Sequence, residues 1–315
     1  MTIVRRDDFS GPADLRAMQQ FASRVWTPTS RFHPGQLAWS RHYQQVDPLR
    51  PAPGEAIALW REDGRVVGFG WAETDDWLEV QVQDDRPDVA EAVLEWFEDW
   101  SDADDQAVLT MAGGALDAAL TEAGFVAEDD EPWFTHHVRP TEGLPPVPDV
   151  AGYRLRSMVG AGPDDVAARA ACHAAAWAEF GPSPVTTEAY AALMDVWPYD
   201  PALDWVAVDA DGAMVASCLV WLDPATGVGL VEPVGCVPEH RGHGLAGAVT
   251  LAALHRLREL GGHTALVSPR GDDGHPGPQR LYRALGFEPS ARTRTWTRSR
   301  RDAVIVADPT TRVPS

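Results

Sequence analysis

Lysine is absent from the 315 residues, so arginine supplies all 26 basic side chains against 47 acidic ones, for a formal net charge of -21. A nucleic-acid partner needs a basic face to meet its phosphates, and this balance argues against one. It favours cationic partners in sign alone, because net charge governs association and not fold. Cysteine is nearly as scarce. Cys172, Cys218 and Cys236 are odd in number and stand in apolar surroundings, which excludes a disulfide framework and reads as reduced, buried thiols. Long hydrophobic runs are missing too. The start MTIVRRDDFSGPADLR has no apolar stretch after its arginines, and nothing approaches the roughly 20 apolar residues of a spanning helix. Neither export nor membrane insertion is expected, and the expected location is cytoplasmic. Metal-ligand spacing is also lacking: His136-His137 and the scattered histidines show no i, i+4 or Cys-x-x-Cys arrangement, so no metal is expected.

What is present is a repeat. A hydrophobic content of 44% over this length can fill two cores of ordinary size. TIVRRDDFSGPADLRAMQQ parallels YRLRSMVGAGPDDVAARAA: a short strand, a turn, then Gly-Pro before an acidic first helical turn. Each half next offers a second short helix, near Pro34–Gln45 and Thr187–Val196. Then come two strand patterns joined by Asp-Gly, EAIALWREDGRVVGFGWAE and DWVAVDADGAMVASCLVW, which is a strong hairpin signal. Both halves close on a helix stopped by Gly-Phe and followed by two strands, EAGFVAEDDEPWFTHHV and ALGFEPSARTRTWTRSR. Between them PTEGLPPVPDVAG suits a linker. The expectation is α/β (α+β): a domain at 1–139, a linker at 140–152 and a second domain at 153–315.

The segment from Gly229 to Ser268 reads as strand, glycine loop, long helix, Gly-Gly stop and strand. At its centre lies Arg241-Gly242-His243-Gly244-Leu245-Ala246. Glycines there leave room for a ligand against the backbone, and the free N–H groups of the helix start form a cradle for a pyrophosphate. Other glycine loops fail on detail. No Lys-Ser/Thr follows, as a nucleotide P-loop requires, and EPVGCVPEHR is too long and polar for a tight dinucleotide turn.

Arg-Gly-x-Gly-x-Ala resembles the acyl-coenzyme A signature of the GNAT N-acetyltransferase superfamily. Downstream, His275-Pro276-Gly277-Pro278-Gln279-Arg280-Leu281-Tyr282-Arg283-Ala284-Leu285-Gly286-Phe287 resembles that family's later helix, with its Leu-Tyr pair and Gly-Phe stop. The resemblance implies two tandem GNAT-like domains, each a mixed, mostly antiparallel twisted sheet flanked by helices. It implies acetyl-CoA as co-substrate, a sheet whose fourth and fifth strands splay, and a bulge in the fourth strand, Leu230 to Val237, where Pro233 cannot donate to a ladder. It further implies pantetheine pairing at Gly235, Cys236 and Val237, and coenzyme contacts from Arg241 to Ala246, with His275 standing where the family often has Asn.

For the chemistry, Tyr282 is the candidate acid for the leaving thiolate and Glu232 the candidate base for the amine. Cys236 has no His-Asp partner in sequence, so direct transfer in a ternary complex is expected. The acceptor expected is a primary amine on a small molecule. A peptide amine, or a binding module without catalysis, is the alternative. The first half departs from the motif. Ungapped alignment sets Asp85-Arg86-Pro87-Asp88-Val89-Ala90 against the glycine loop and Leu120 against Tyr282. A carboxylate at the phosphate position repels and proline removes an amide donor, so that copy is expected to have lost the coenzyme.

Overall fold

The computed structural model describes residues 3–43, 52, 54–114, 116–129 and 132–300. In chain order the first half forms β1 (Val4–Asp8), α1 (Pro12–Arg24), α2 (Pro34–Tyr43), β2 (Ala56–Glu62), β3 (Arg65–Thr74), β4 (Trp77–Val82), α3 (Pro87–Trp100), β5 (Asp105–Met111), α4 (Leu116–Glu122), β6 (Val126–Glu128) and β7 (Thr135–Pro140). The second half forms β8 (Arg154–Ser157), α5 (Pro163–Ala176), α6 (Thr187–Met194), β9 (Asp204–Val208), β10 (Met214–Asp223), β11 (Val228–Cys236), α7 (Leu245–Glu259), β12 (Thr264–Val267), α8 (Pro276–Ala284) and β13 (Glu288–Ser299). The expected short helices are α2 and α6, with Gln45 lying outside the described residues.

Local chemistry explains the boundaries. Helix α5 opens at Gly162, whose N–H donates to the Asp165 carboxylate at 3.1 Å, with Pro163 in the first turn where its missing donor is not needed. Thr186 caps α6 by accepting from the Ala189 N–H. The turn between β2 and β3 places Asp63 and Gly64 at φ 49 and 78, the left-handed pair that a two-residue hairpin requires.

The chain packs as two compact units that cut across the sequence halves. One is built from Met1–Ser10, Pro51–Trp133 and Arg292–Ser315, the other from Gly11–Arg50 and Phe134–Ala291, in their described parts. The first holds the strand order β1-β2-β3-β4-β5-β13 and the second the order β8-β9-β10-β11-β12-β7. In both, every neighbouring pair is antiparallel except one, β4 with β5 and β11 with β12. The repeat in sequence is thus a repeat in topology. Its closing strands are exchanged: β13 of the second half completes the first unit, and β7 of the first half completes the second. Helices α1 and α2 also belong to the second unit, where Gly35 lies so close to Trp221 that a Cβ would fall 2.1 Å from it. Any side chain at Gly35 would drive α2 off the sheet.

The second unit positions the site described below. Its core gathers Leu203, Val220, Val249, Leu254 and Phe287 around α7, and a cluster around Trp221 and Tyr190 fills the other side. Gly229 admits Leu257 of α7 against β11, since a Cβ there would come 2.5 Å from it. Of the expected linker at 140–152, Pro140 ends β7 and residues 141–152 have no helix or strand; Thr141 bonds Gly262 and His263 backbone, while Leu144 and Val150 rest on the core. Among the described residues no helix is long and apolar enough to cross a membrane.

Three buried histidines of this unit carry a pH prediction. Burial pushes His33 and His136 down to about 4, and burial together with the Arg169 charge pushes His173 down to about 3. Unfolding frees them to take up protons near the ordinary value of about 6.5. Their contribution is therefore complete above that value and is lost as pH falls through the window down to about 4 for His33 and His136 and about 3 for His173. Urea unfolding at pH 7.5 and pH 5 is expected to differ by several kcal/mol, of the order that shifted histidines supply. Equal stability at both pH values would show that these histidines are not held neutral.

Candidate active site

The parallel pairing of β11 with β12 covers only Val228, Gly229 and Leu230, against Thr264, Ala265 and Leu266. Beyond Leu230 the two strands part. On its other edge β11 stays paired with β10, but Cys218 faces Val234 while Val220 faces Val231, so β11 carries an extra residue around Glu232 and Pro233. The splay and the bulge are thus both present. Together they open a cleft whose floor is the unpaired edge of β11.

Two chambers share this cleft. The larger, of about 450 Å³, is lined by Val234, Gly235 and Cys236 of β11, by Arg241, Gly242, Gly244, Leu245, Ala246 and Gly247, by His275, Leu281 and Tyr282, and by Trp177, Glu179 and Phe180. The smaller, of about 410 Å³, is lined by Glu232, Trp39, Phe134, His173, Ser268 and Arg270 among others. They meet at Trp177, Phe180, Val234, His275, Pro278 and Tyr282.

The larger chamber has the chemistry of an anion cradle at one end. Gly242 and Gly244 sit at φ 84 and 79, and a Cβ at either would meet nothing within 4 Å, so glycine is required there by conformation and not by crowding. Gly244 caps α7, leaving the N–H groups of Leu245, Ala246 and Gly247 without intrahelical acceptors at the positive end of a 15-residue helix. Arg241 is not directed at the cradle alone. It donates to the Cys236 carbonyl at 3.2 Å, to the Ala176 carbonyl at 3.1 Å and to Glu179 at 3.0 and 3.1 Å, tying the loop to the end of α5. Gly235 serves a second purpose: a Cβ there would lie 2.8 Å from that of Ala176, so glycine lets Trp177 stand over β11.

Of the residues singled out by sequence, Gly235, Cys236, Arg241, Gly242, Gly244, Leu245, Ala246, His275 and Tyr282 line the larger chamber. Glu232 lines the smaller, where Tyr282 and His275 recur. Two stand apart. The Val237 N–H is spent on the Val215 carbonyl at 2.8 Å, and its side chain packs into the core. His243 is exposed, its Nδ1 3.2 Å from the His240 carbonyl, and it lines neither chamber.

Tyr282 lies at the junction, 6% exposed and edge-on to Phe287 at 5.7 Å. Burial raises its pKa well above the ordinary phenol, with Cys218 and Glu232 adding to the effect, so it presents an O–H and not a phenolate. Burial likewise raises the Cys236 thiol, partly opposed by Arg241. That thiol donates to the Val237 carbonyl at 3.6 Å and is no activated nucleophile. Sequence reasoning missed Glu179, Phe180, Arg270 and Phe134, because nothing in a loop's composition tells which residues will overhang a cleft. Trp177 lines both chambers, Trp221 is fully buried, and Trp26 and Trp197 line a separate surface depression.

The first unit repeats the geometry with different side chains at the helix start. Its parallel pairing also covers three residues, Trp77, Leu78 and Glu79. At the start of α3, Arg86 grips Asp88 with two bonds of 2.8 Å and Glu62 at 3.1 Å, and Leu120 is fully buried in the core. The carboxylate and its arginine occupy the place of the glycine loop.

Residues 170–287 match the Acetyltransferase (GNAT) family. The chain is similar to a mycothiol acetyltransferase of Pseudarthrobacter chlorophenolicus, 33% identical over 162 residues, which cover 50% of this chain and 49% of that one. The chain spans about half the length of the curated relatives it matches. Two solved structures share the fold over nearly all of the chain. A GCN5-related N-acetyltransferase from Sphaerobacter thermophilus has a TM-score of 0.59 at 20% identity, over 94% of this chain and 95% of that one. A tandem GNAT protein from the clavulanic acid biosynthesis pathway has a TM-score of 0.60 at 20% identity, over 95% and 99%. The glycine loop, the splayed strands and the Leu-Tyr helix all lie inside the stretch that matches the GNAT acetyltransferase family, and the chain shares its fold with a tandem GNAT protein.

Proposed function

We propose that the second unit transfers an acetyl group from acetyl-CoA to a primary amine of a small molecule, directly and within a ternary complex. The observation that carries this is the pair of chambers meeting at Tyr282, one ending in the glycine cradle and the other holding Glu232. The pyrophosphate lies against the N–H groups of Leu245, Ala246 and Gly247, and hydrogen bonds to a charged group contribute about 1.5–3 kcal/mol each. The arm then follows the open edge of β11 past Gly235 to bring the thioester to Tyr282. Acetyl-CoA is the co-substrate that the family's fold is suited to, and the fit rests on these backbone groups.

The acceptor enters as an ammonium, because an amine with a pKa of about 10.4 is neutral only about once in 2,500 molecules at pH 7. Glu232, directly or through water, takes one proton. The amine nitrogen attacks the thioester carbonyl, the C–N bond forms and the C–S bond breaks. The nitrogen loses its second proton, and Tyr282 donates one to the departing thiolate and is reprotonated from the amine side or solvent. The balance is ammonium plus acetyl-CoA giving amide, free thiol and one proton. Relatives named mycothiol acetyltransferase support a small-molecule acceptor over a peptide.

The test is release of free coenzyme A thiol from acetyl-CoA across a panel of amines. Glu232→Gln is expected to lower kcat about 100-fold at pH 7, within the range for a positioned base, and to recover as pH approaches that of the free amine. A variant as active as the wild type at pH 7 would remove Glu232 from the mechanism. Wild-type protein that binds acetyl-CoA but releases no thiol with any amine would favour the non-catalytic alternative.

A further inference from the structure

A short turn bridges the cleft that the splayed strands open. Helix α5 ends at Ala176, residues Ala178–Phe180 make one turn beyond it, and Gly181 redirects the chain at φ 118 and ψ -179, a conformation open to glycine alone. Glu179 reaches one bank of the cleft: Arg241, in the loop after β11, donates to its two carboxylate oxygens at 3.0 and 3.1 Å. Phe180 reaches the other bank, its ring edge-on to His275 at the start of α8 with centroids 5.2 Å apart. Trp177 backs the turn, its ring 5.6 Å from that of Phe180. All these residues line the larger chamber, which ends in the glycine cradle.

The fastening is uneven. Arg241 is also held by the Cys236 and Ala176 carbonyls, so the loop keeps its place whether or not Glu179 is engaged. The turn's own backbone bonds close on itself, from the Phe180 N–H to the Trp177 carbonyl at 3.0 Å and from the Gly181 N–H to the Ala178 carbonyl at 3.3 Å. What ties it across the cleft is one ion pair and one ring contact. The pair is solvated, with Arg241 42% and Glu179 44% exposed, whereas Arg169 and Asp204 of the same unit are paired with no exposure at all. An exposed pair contributes little and opens readily, while breaking a sealed one is strongly unfavourable. Phe180 is itself largely exposed, so lifting the turn uncovers little apolar surface.

We infer that Ala178–Phe180 is a strap across the larger chamber, latched by Glu179 on Arg241 and by Phe180 on His275, and that it lifts for the coenzyme to enter and leave. The identity of the ligand rests on the acetyl-transfer reading above; the strap rests on the contacts just given. An arm laid along β11 from the cradle to Tyr282 runs beneath the closed strap, and weakly held segments of this kind are what gate many sites. Trp177 and Phe180 line the smaller chamber as well, so closure shapes both. Glu179 is a positioning residue: it touches Arg241 and not the reacting atoms.

Cys236 provides a probe that needs no coenzyme. It lines the larger chamber and is half-buried, while Cys172 and Cys218 are buried, so its labelling by the uncharged reagent N-ethylmaleimide, followed by mass spectrometry, reports opening of the strap. Because the Arg241 charge acts on that thiol, rates are compared at equal thiolate fraction, taken from the pH dependence of labelling in each protein. Glu179→Gln is expected to speed labelling about three- to fivefold, the scale of one exposed ion pair. Sodium chloride at about 0.5 M should speed the wild type and leave the variant unchanged. In stopped-flow displacement, acetyl-CoA is expected to leave Glu179→Gln several-fold faster than the wild type. Removing a carboxylate near the phosphates would by itself slow that step, so the sign separates a latch from charge repulsion. Labelling of the variant at the wild-type rate, equal acceleration of both proteins by salt, or slower coenzyme release would each overturn the strap. If the wild type binds no acetyl-CoA, the transfer reading fails by itself and the labelling rates still decide the strap.

Discussion

Gly244→Asp is expected to abolish acetyl-CoA binding in a calorimetric titration, with at least a 100-fold rise in Kd and little change in folding. Two effects add. The left-handed conformation at φ 79 costs a non-glycine residue about 1 kcal/mol, which is tolerable at an open helix cap. The new carboxylate then stands beside the N–H groups of Leu245 and Ala246, where a phosphate charge about 5 Å away would be repelled by roughly 3 kcal/mol at an effective dielectric near 20. A Cβ at Gly244 meets nothing within 4 Å, so steric damage is excluded as the cause. The chain already contains the outcome of this substitution: Asp88 stands at the corresponding place in the first unit, paired with Arg86. One site per wild-type chain, lost in the variant, is the result expected. Two sites would show that the first unit binds as well, and unchanged binding would move the coenzyme away from the glycine loop.

Tyr282→Phe is expected to lower kcat by about 10²–10⁴-fold, the contribution of a positioned general acid, with acetyl-CoA affinity within about threefold of the wild type. The change deletes one oxygen and leaves the ring against Phe287, so stability should hold. Since burial already keeps the phenol protonated far above neutrality, the wild-type rate should show no loss assignable to tyrosine ionisation up to pH 9. A donor with a better leaving thiol would test the assignment further. Acetyl carried on a more acidic thiol should lose less on substitution, because its thiolate needs the proton less. Full activity in Tyr282→Phe with acetyl-CoA would reduce the residue to a packing role.

How far the site could be foreseen differs from residue to residue. Gly242, Gly244 and Tyr282 were legible because each belongs to a short contiguous pattern whose spacing maps directly onto a loop, a helix start or a helix face. Val237 was expected at the pantetheine, but at a strand edge an N–H points to a neighbour or to the cleft according to register, and the extra residue near Pro233 resets that register. Here the N–H turned toward Val215. Arg241 was expected at the phosphates, yet its guanidinium also holds Glu179 and the Ala176 carbonyl.

The sequence by itself determined the repeat, the glycine loop before α7, the helix that carries Tyr282 and the departure from that loop around Asp88, because these depend on local spacing, turn chemistry and the sign of a charge. It did not determine which strands close which sheet. A β-strand's partners are set by free backbone edges and apolar faces that meet only on folding, and β7 and β13 have near-identical roles in the repeat, so each could serve either half until packing selected the exchanged arrangement. The smaller chamber has the same origin. Trp39, Phe134, His173 and Arg270 are scattered over more than two hundred residues and share no motif; only the meeting of α2, α5 and the bridged segments before β7 and after β12 makes them one wall.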